Sequence, residues 1–252
     1  MDAACRFKRH AKVAGQLGDE QAIHDFRVAV KEIDAFQKPL NTLASPEQQK
    51  MLINWHNRLQ KIYKPAGKFR NGLIIHKLGR RAGVWDLLPE AEVYLLVKNE
   101  SRLSDFLSVA QSYHFPQLVK VKSFLQSVLH QMDVVINQTI QNNYDQALPL
   151  LTQPSGIHWH EARGALKNNY FLLLAQDQCS RCMLNRESVI LTGIIEKELG
   201  NWHDWLMLQQ YVVHYEGLNS PQKGSALSCI QHYLTEVEEQ IMSRVVLLSG
   251  MM

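Results

Sequence analysis

Apolar residues recur along this chain every three to four positions, and no run of them alternates with polar ones in the manner of a strand. Ile23, Phe26, Val30 and Ile33 form one such helical run, and Pro39 is expected to close it. Ser45-Pro46-Glu47 supplies a capping side chain, a proline suited to the first helical position and an early acid, so it predicts a helix start. That helix is expected to reach about Tyr63, and a separate one to cover about Pro65 to Arg81. Further helices are predicted from Pro89 to about Ser112 and from Phe115-Pro116 to about Tyr144. The stretch Leu148 to Gly156 holds two prolines, a glycine and no charge, and reads as a linker. Beyond it, helices are predicted at about 157–177, 183–199, 203–216 and 221–247. The expectation is an all-α protein of nine or so helices, divided into one bundle over 1–151 and a second over 152–252.

The two halves resemble each other. His24-Asp-Phe-Arg27-Val-Ala-Val-Lys31 and His160-Glu-Ala-Arg163-Gly-Ala-Leu-Lys167 share the pattern H-[DE]-x-R-x-x-[VL]-K at an offset of 136. Ala66-Gly67-Lys68-Phe69-Arg70-Asn71 and Leu199-Gly200-Asn201-Trp202-His203-Asp204 align at an offset of 133. Two motif pairs in the same order, with offsets three residues apart, predict a duplicated helical unit. Two antiparallel, pseudo-symmetric bundles are therefore expected.

Composition agrees with this picture. In 252 residues there are only 13 Gly and 8 Pro, so few turns are needed. No stretch approaches the roughly 20 apolar residues of a membrane span. The opening residues carry Arg6, Lys8, Arg9 and Lys12 with no apolar run behind them, unlike a secretory signal. Four cysteines, Cys5, Cys179, Cys182 and Cys229, make no disulfide framework, so a cytoplasmic setting is expected.

The net charge of +3 conceals an uneven distribution. Residues 1–150 hold 20 Lys+Arg against 14 Asp+Glu, while 151–252 hold 7 against 10. Between Gln48 and Trp85 there are nine Lys+Arg and no acid. Ordinary solvated helices interleave the two signs, because pairs four residues apart stabilise them. A run of one sign points to an anion-facing surface.

The repeated motif narrows the chemistry. On a helix, His24, Arg27 and Lys31 share a stripe of roughly 60°, with Lys38 expected to extend it. His160, Arg163 and Lys167 repeat the stripe beside Ala162, Leu166, Asn169 and Leu173. Arg offers a planar fork to phosphate oxygens, Lys a mobile point charge and His a donor that gains charge near an anion. Cations one turn apart repeat every ~5.4 Å and can follow linked phosphates. Lys61, Lys64 and Arg70 are placed on one face beside the ligand, and Lys197 and His203 correspondingly in the second half. Asp204 either orients the His203 ring or caps a helix, and Trp202 and Trp205 read as core.

These segments resemble the conserved-histidine α-helical domain family, CHAD, over about 20–245. The resemblance rests on HDFRVAVKEIDAF and HEARGALKNNYFLLL, with AGKFRN and LGNWHDWLML. It implies two helical bundles related by a pseudo-two-fold, with a basic cleft between them that binds inorganic polyphosphate without catalysis. It points to His24, Arg27, Lys31 and Arg70 in the first half, and to His160, Arg163, Lys167 and His203 in the second. This chain departs from the family where Glu32 and Asp34 follow Lys31, and where Asn71 takes the place of an acid.

Three other chemistries find less support in the sequence. His158-Trp-His160 with Cys179-Ser-Arg-Cys182 supplies zinc-type ligands, but the pairs lack a normal spacing. An all-α metal-dependent phosphohydrolase would use His160 and His203-Asp204, yet no Asp follows Asp204 to close its ligand set. Nucleic acid is disfavoured because the basic window carries few aromatics, Trp55, Tyr63 and Phe69 being the only ones before Trp85. No catalytic residue, metal or cofactor is assigned.

Overall fold

The computed structural model describes residues 19–112, 119–153, 158–178, 186–216 and 220–250, and among these residues there is no strand. The chain forms α1 (Glu20–Ala35), α2 (Gln37–Leu43), α3 (Pro46–Arg81), α4 (Val84–Leu87), α5 (Pro89–Ser112), α6 (Val119–Leu151), α7 (Trp159–Gln178), α8 (Arg186–His214) and α9 (Ser220–Ser249). The all-α expectation is met.

Helix starts follow local rules. Asp19 caps α1 by accepting from the Ala22 N–H at 2.6 Å. Ser45 and Gln48 close a capping box at the head of α3, with Pro46 next in the chain as predicted. Helix continuations do not follow local rules. Pro39 does not end α1, which stops at Ala35; it sits in the first turn of α2, where its missing N–H has no helical partner to lose. The break moves Lys38 off the stripe of α1 and leaves it exposed.

α3 runs unbroken through Pro65, where two helices were expected. An interior proline costs about 3 kcal/mol. Burial of Leu59, Ile62, Ala66 and Phe69 on either side of it offsets that cost. In the same way α8 is one helix through Gly200, not two, because Leu199, Trp202 and Trp205 are all buried around the glycine. The expected linker is partly helix as well: Leu148–Leu151 complete α6, and 154–157 lie outside the described residues.

Two apolar clusters hold the fold. The smaller joins α1, α3 and α5 through Ile23, Phe26, Val30, Leu59, Ile62, Phe69 and Phe106. The larger draws on residues from Ala35 to Leu248, on both sides of residue 151, with Trp85, Tyr144, Leu166 and Trp205 among its bulkiest members. α1 packs on both α3 and α7, and α3 also packs on α8, so the helices carrying the repeated motifs lie against one another. A buried polar seam fixes the register of α6 on α7. Asn143 Nδ2 donates to Asn169 Oδ1 at 2.8 Å, and Asn169 Nδ2 donates to the Ile140 carbonyl at 3.0 Å.

Candidate functional site

The motif helices pair in one antiparallel register in both halves. In the first, His24 of α1 lies in the field of Arg70 of α3, and the Arg27 guanidinium lies across Gly67. Two turns further along that pairing, Asp34 accepts from Gln60 Nε2 at 3.4 Å. In the second half, the His160 and His203 rings stack at 5.3 Å, and Arg163 Nη2 lies 3.8 Å from where a Gly200 side chain would begin. Lys167 Nζ pairs with Glu196 Oε1 at 2.8 Å, and the Tyr170 ring abuts Gly193. Each Arg of the first motif thus meets the Gly of the second. A side chain at Gly67 would collide with Arg27, so the motif glycine makes room for the guanidinium.

The two Arg residues are held differently. Arg27 Nη1 donates to the Tyr63 carbonyl at 3.0 Å and Nη2 to the Tyr63 hydroxyl at 3.2 Å, with the guanidinium 4.2 Å above the Tyr63 ring centroid. No comparable clamp holds Arg163 among the described residues, although the buried Nε of both arginines has no hydrogen-bond partner there.

α1 and α7 bring the two motif lysines together. The Lys31 amine lies within hydrogen-bonding reach of Lys167 and in the field of Arg27 and Arg163. Burial pushes the Lys31 pKa down to about 6, and the charges of Lys167, Arg27 and Arg163 push the same way. Burial also lowers the pKa of His24, aided by Arg70 and opposed by Asp25. The Tyr63 phenol is raised by burial, although Arg27, Arg163 and Arg70 all favour its ionised form. Asp34 is raised by burial against the pull of His56, whose Nδ1 lies 3.0 Å away, and of Lys31. Around one junction, then, Arg27, Lys31, Arg70, Arg163 and Lys167 gather, with Glu196 paired to Lys167 and Asp34 engaged with His56 and in the field of Lys31. A protonated Lys31 is repelled by these neighbours, like charges about 4 Å apart by about 4 kcal/mol at an effective dielectric of 20. An anion placed among these side chains relieves that repulsion.

Of the residues expected at the site, His24, Arg27, Lys31, Arg70, Arg163 and Lys167 converge. His160 and His203 pair with each other at one end of the α7–α8 register, His160 exposed and His203 half-buried. Lys61, Lys64 and Lys197 are exposed, and no contact ties them to the cluster among the described residues. Asp204 is no helix cap, since it lies inside α8; its Oδ1 is 3.5 Å from His203 Nδ1. Trp202 and Trp205 are core, as expected. Sequence reasoning missed Tyr63 and Glu196. Their only signal is position: each precedes its motif glycine by four residues, which puts it on the same helix face.

Among the described residues, no group of three or more His, Cys, Asp or Glu side chains is disposed to hold a metal ion. The Cys179 and Cys182 pair lies outside the described residues. No helix among the described residues is long and apolar enough to cross a membrane.

No family model matches this sequence, and no curated protein does. A solved structure does match: the CHAD domain from the plant Ricinus communis superposes with a TM-score of 0.65 over 95% of this chain and 86% of that one, at 13% identity. The chain therefore has a CHAD-like fold.

Proposed function

We propose that this chain binds inorganic polyphosphate, or a closely related phosphate-rich anion, in a basic cleft where α1 meets α7, and breaks no bond in it. The observation that carries the reading is the meeting of the two motif copies. Lys31 and Lys167 come from separate repeats and adjoin, with Arg27 and Arg163 in the same field. Burying cations of one sign together is costly unless an anion compensates. A linear phosphate chain supplies closely spaced charges, accepts forked bonds from Arg and needs no recognition of a base. The CHAD-like fold supports the same reading, since the family the motifs resemble implies polyphosphate as ligand. The proposed role calls for no metal or cofactor and accords with the cytoplasmic setting expected from the cysteine content.

Binding of long-chain polyphosphate, short phosphates and single-stranded DNA, each at two salt concentrations with and without chelator, tests it. Preference for polyphosphate with steep salt dependence and no chelator effect is expected. Arg163→Glu is expected to weaken binding at least tenfold, since a charge-assisted hydrogen bond contributes about 1.5–3 kcal/mol. Lys98→Glu, on the exposed face of α5, is expected to leave it unchanged. Equal effects of the two substitutions, or release of phosphate on incubation, overturn the reading.

A further inference from the structure

Several cations of the acid-free window take no part in the cluster. Lys50, Arg58, Lys61, Lys64 and Lys68 are all exposed on α3, and no carboxylate pairs with any of them among the described residues. The contrast lies within the same helix. Near its end, Lys77 pairs with Glu20, and Arg80 pairs with Glu92 at 3.1 Å. At 100° per residue, Lys50, Lys61, Lys64 and Lys68 fall within an arc of about 60°, and Arg58 lies about 60° to one side of it. Asn57 falls in the same arc and Asn54 about 20° to one side of it, and both are exposed. The arc stands about 120° round the helix from that of Tyr63, Gly67 and Arg70, which faces α1. From Lys50 to Lys68 the stripe runs about 27 Å along the helix.

We infer that this outer stripe of α3 is a second contact surface for a linear polyphosphate chain, engaged only by chains long enough to leave the α1–α7 cluster and lie along the helix. The inference rests on the proposed function, and its chemistry selects the ligand. The stripe is straight, of one sign and interleaved only with small amides. Trp55 and Tyr63, the nearest aromatics, are half-buried on other faces and leave nothing for a base to stack on. Ile53 is the one large hydrophobic of α3 that is exposed among the described residues, too little apolar surface for insertion between lipids. Lys64 lies on the side of the stripe nearer Gly67, and marks the crossing from cluster to stripe. Contact at two surfaces makes the second binding event intramolecular, so a long chain gains affinity that a short one lacks.

The test uses the full chain and the triple variant Lys50→Gln, Arg58→Gln, Lys68→Gln, with circular dichroism to confirm an intact helical fold. The probes are tripolyphosphate and long-chain polyphosphate. Tripolyphosphate affinity is expected to stay within about twofold, while long-chain affinity falls at least tenfold. The slope of log affinity against log salt for the long chain is expected to shrink by about 2, three cations at ~0.7 each. An unchanged long-chain affinity and slope overturn the inference. So does a parent protein that binds duplex DNA or anionic phosphatidylserine vesicles more tightly than long-chain polyphosphate, and loses that binding in the triple variant. Failure of the cluster is read separately: if Arg163→Glu leaves tripolyphosphate binding intact, the proposed function fails, whatever the stripe does.

Discussion

Replacing Lys31 by Met should make the protein more stable and a poorer binder. In the fold Lys31 is half-buried beside Lys167, Arg27 and Arg163, and holds its proton only up to about pH 6 against an ordinary 10.5. In the unfolded chain it keeps the proton to about pH 10.5. Between those values the unfolded state binds one more proton, so stability rises with pH, by at most ~1.4 kcal/mol per unit. At pH 7, 3.5 units below the ordinary value, folding must remove a proton at a cost of about 5 kcal/mol. Met keeps most of the stem volume and has no proton to remove. Lys31→Met is therefore expected to be several kcal/mol more stable than the parent at pH 7. Its advantage should narrow by about 1.4 kcal/mol per pH unit towards pH 10 and hold constant below pH 6. Urea unfolding of both proteins at pH 6, 7, 8 and 9, with m checked for constancy, measures the difference. A difference that does not change with pH, or a less stable variant at pH 7, would refute the argument. Polyphosphate affinity should fall in the same variant.

The same group couples ligand to protons: polyphosphate restores the Lys31 charge, so binding at pH 8 should take up a proton and strengthen as pH falls towards 6. Calorimetry in two buffers of different ionisation enthalpy reads this, and equal heats would count against it. Arg27 and Arg163 should separate, because Arg27 is clamped on Tyr63. Arg27→Gln is expected to cost more stability, about 1.5–3 kcal/mol, and Arg163→Gln more affinity, as urea unfolding and tripolyphosphate titration would show. Gly79 abuts the buried Trp85 indole, whereas nothing lies within 4 Å of a side chain added at Gly164. Gly79→Ala is thus expected to destabilise by about 1–3 kcal/mol and Gly164→Ala to stabilise by about 0.5–1 kcal/mol, both by thermal unfolding.

Much of the fold was legible because it follows from local rules. Ser45-Pro46 marks the head of α3, and Ile23, Phe26 and Val30 are buried as their spacing predicts. The errors share one cause. Pro65, Pro149 and Gly200 read as breaks, and each lies within a continuous helix. A breaker costs about 1–3 kcal/mol locally, and burial of the side chains around it outweighs that sum. Pro39 fails in the opposite way, tolerated at a helix start just past the point where α1 had already stopped.

The sequence alone determined which residue types recur, and in what order: His, Arg and Lys in one stripe, then a Gly followed by Arg70 or His203. It also determined that the first half is basic and that no strand pattern exists. Only the tertiary structure decided which cations meet. Periodicity places a side chain on a face of its own helix, but carries nothing about the helix that face will touch. Burial is a property of that contact, and it is burial that lowers Lys31, sets Tyr63 beneath Arg27 and leaves Lys61 and Lys64 in solvent.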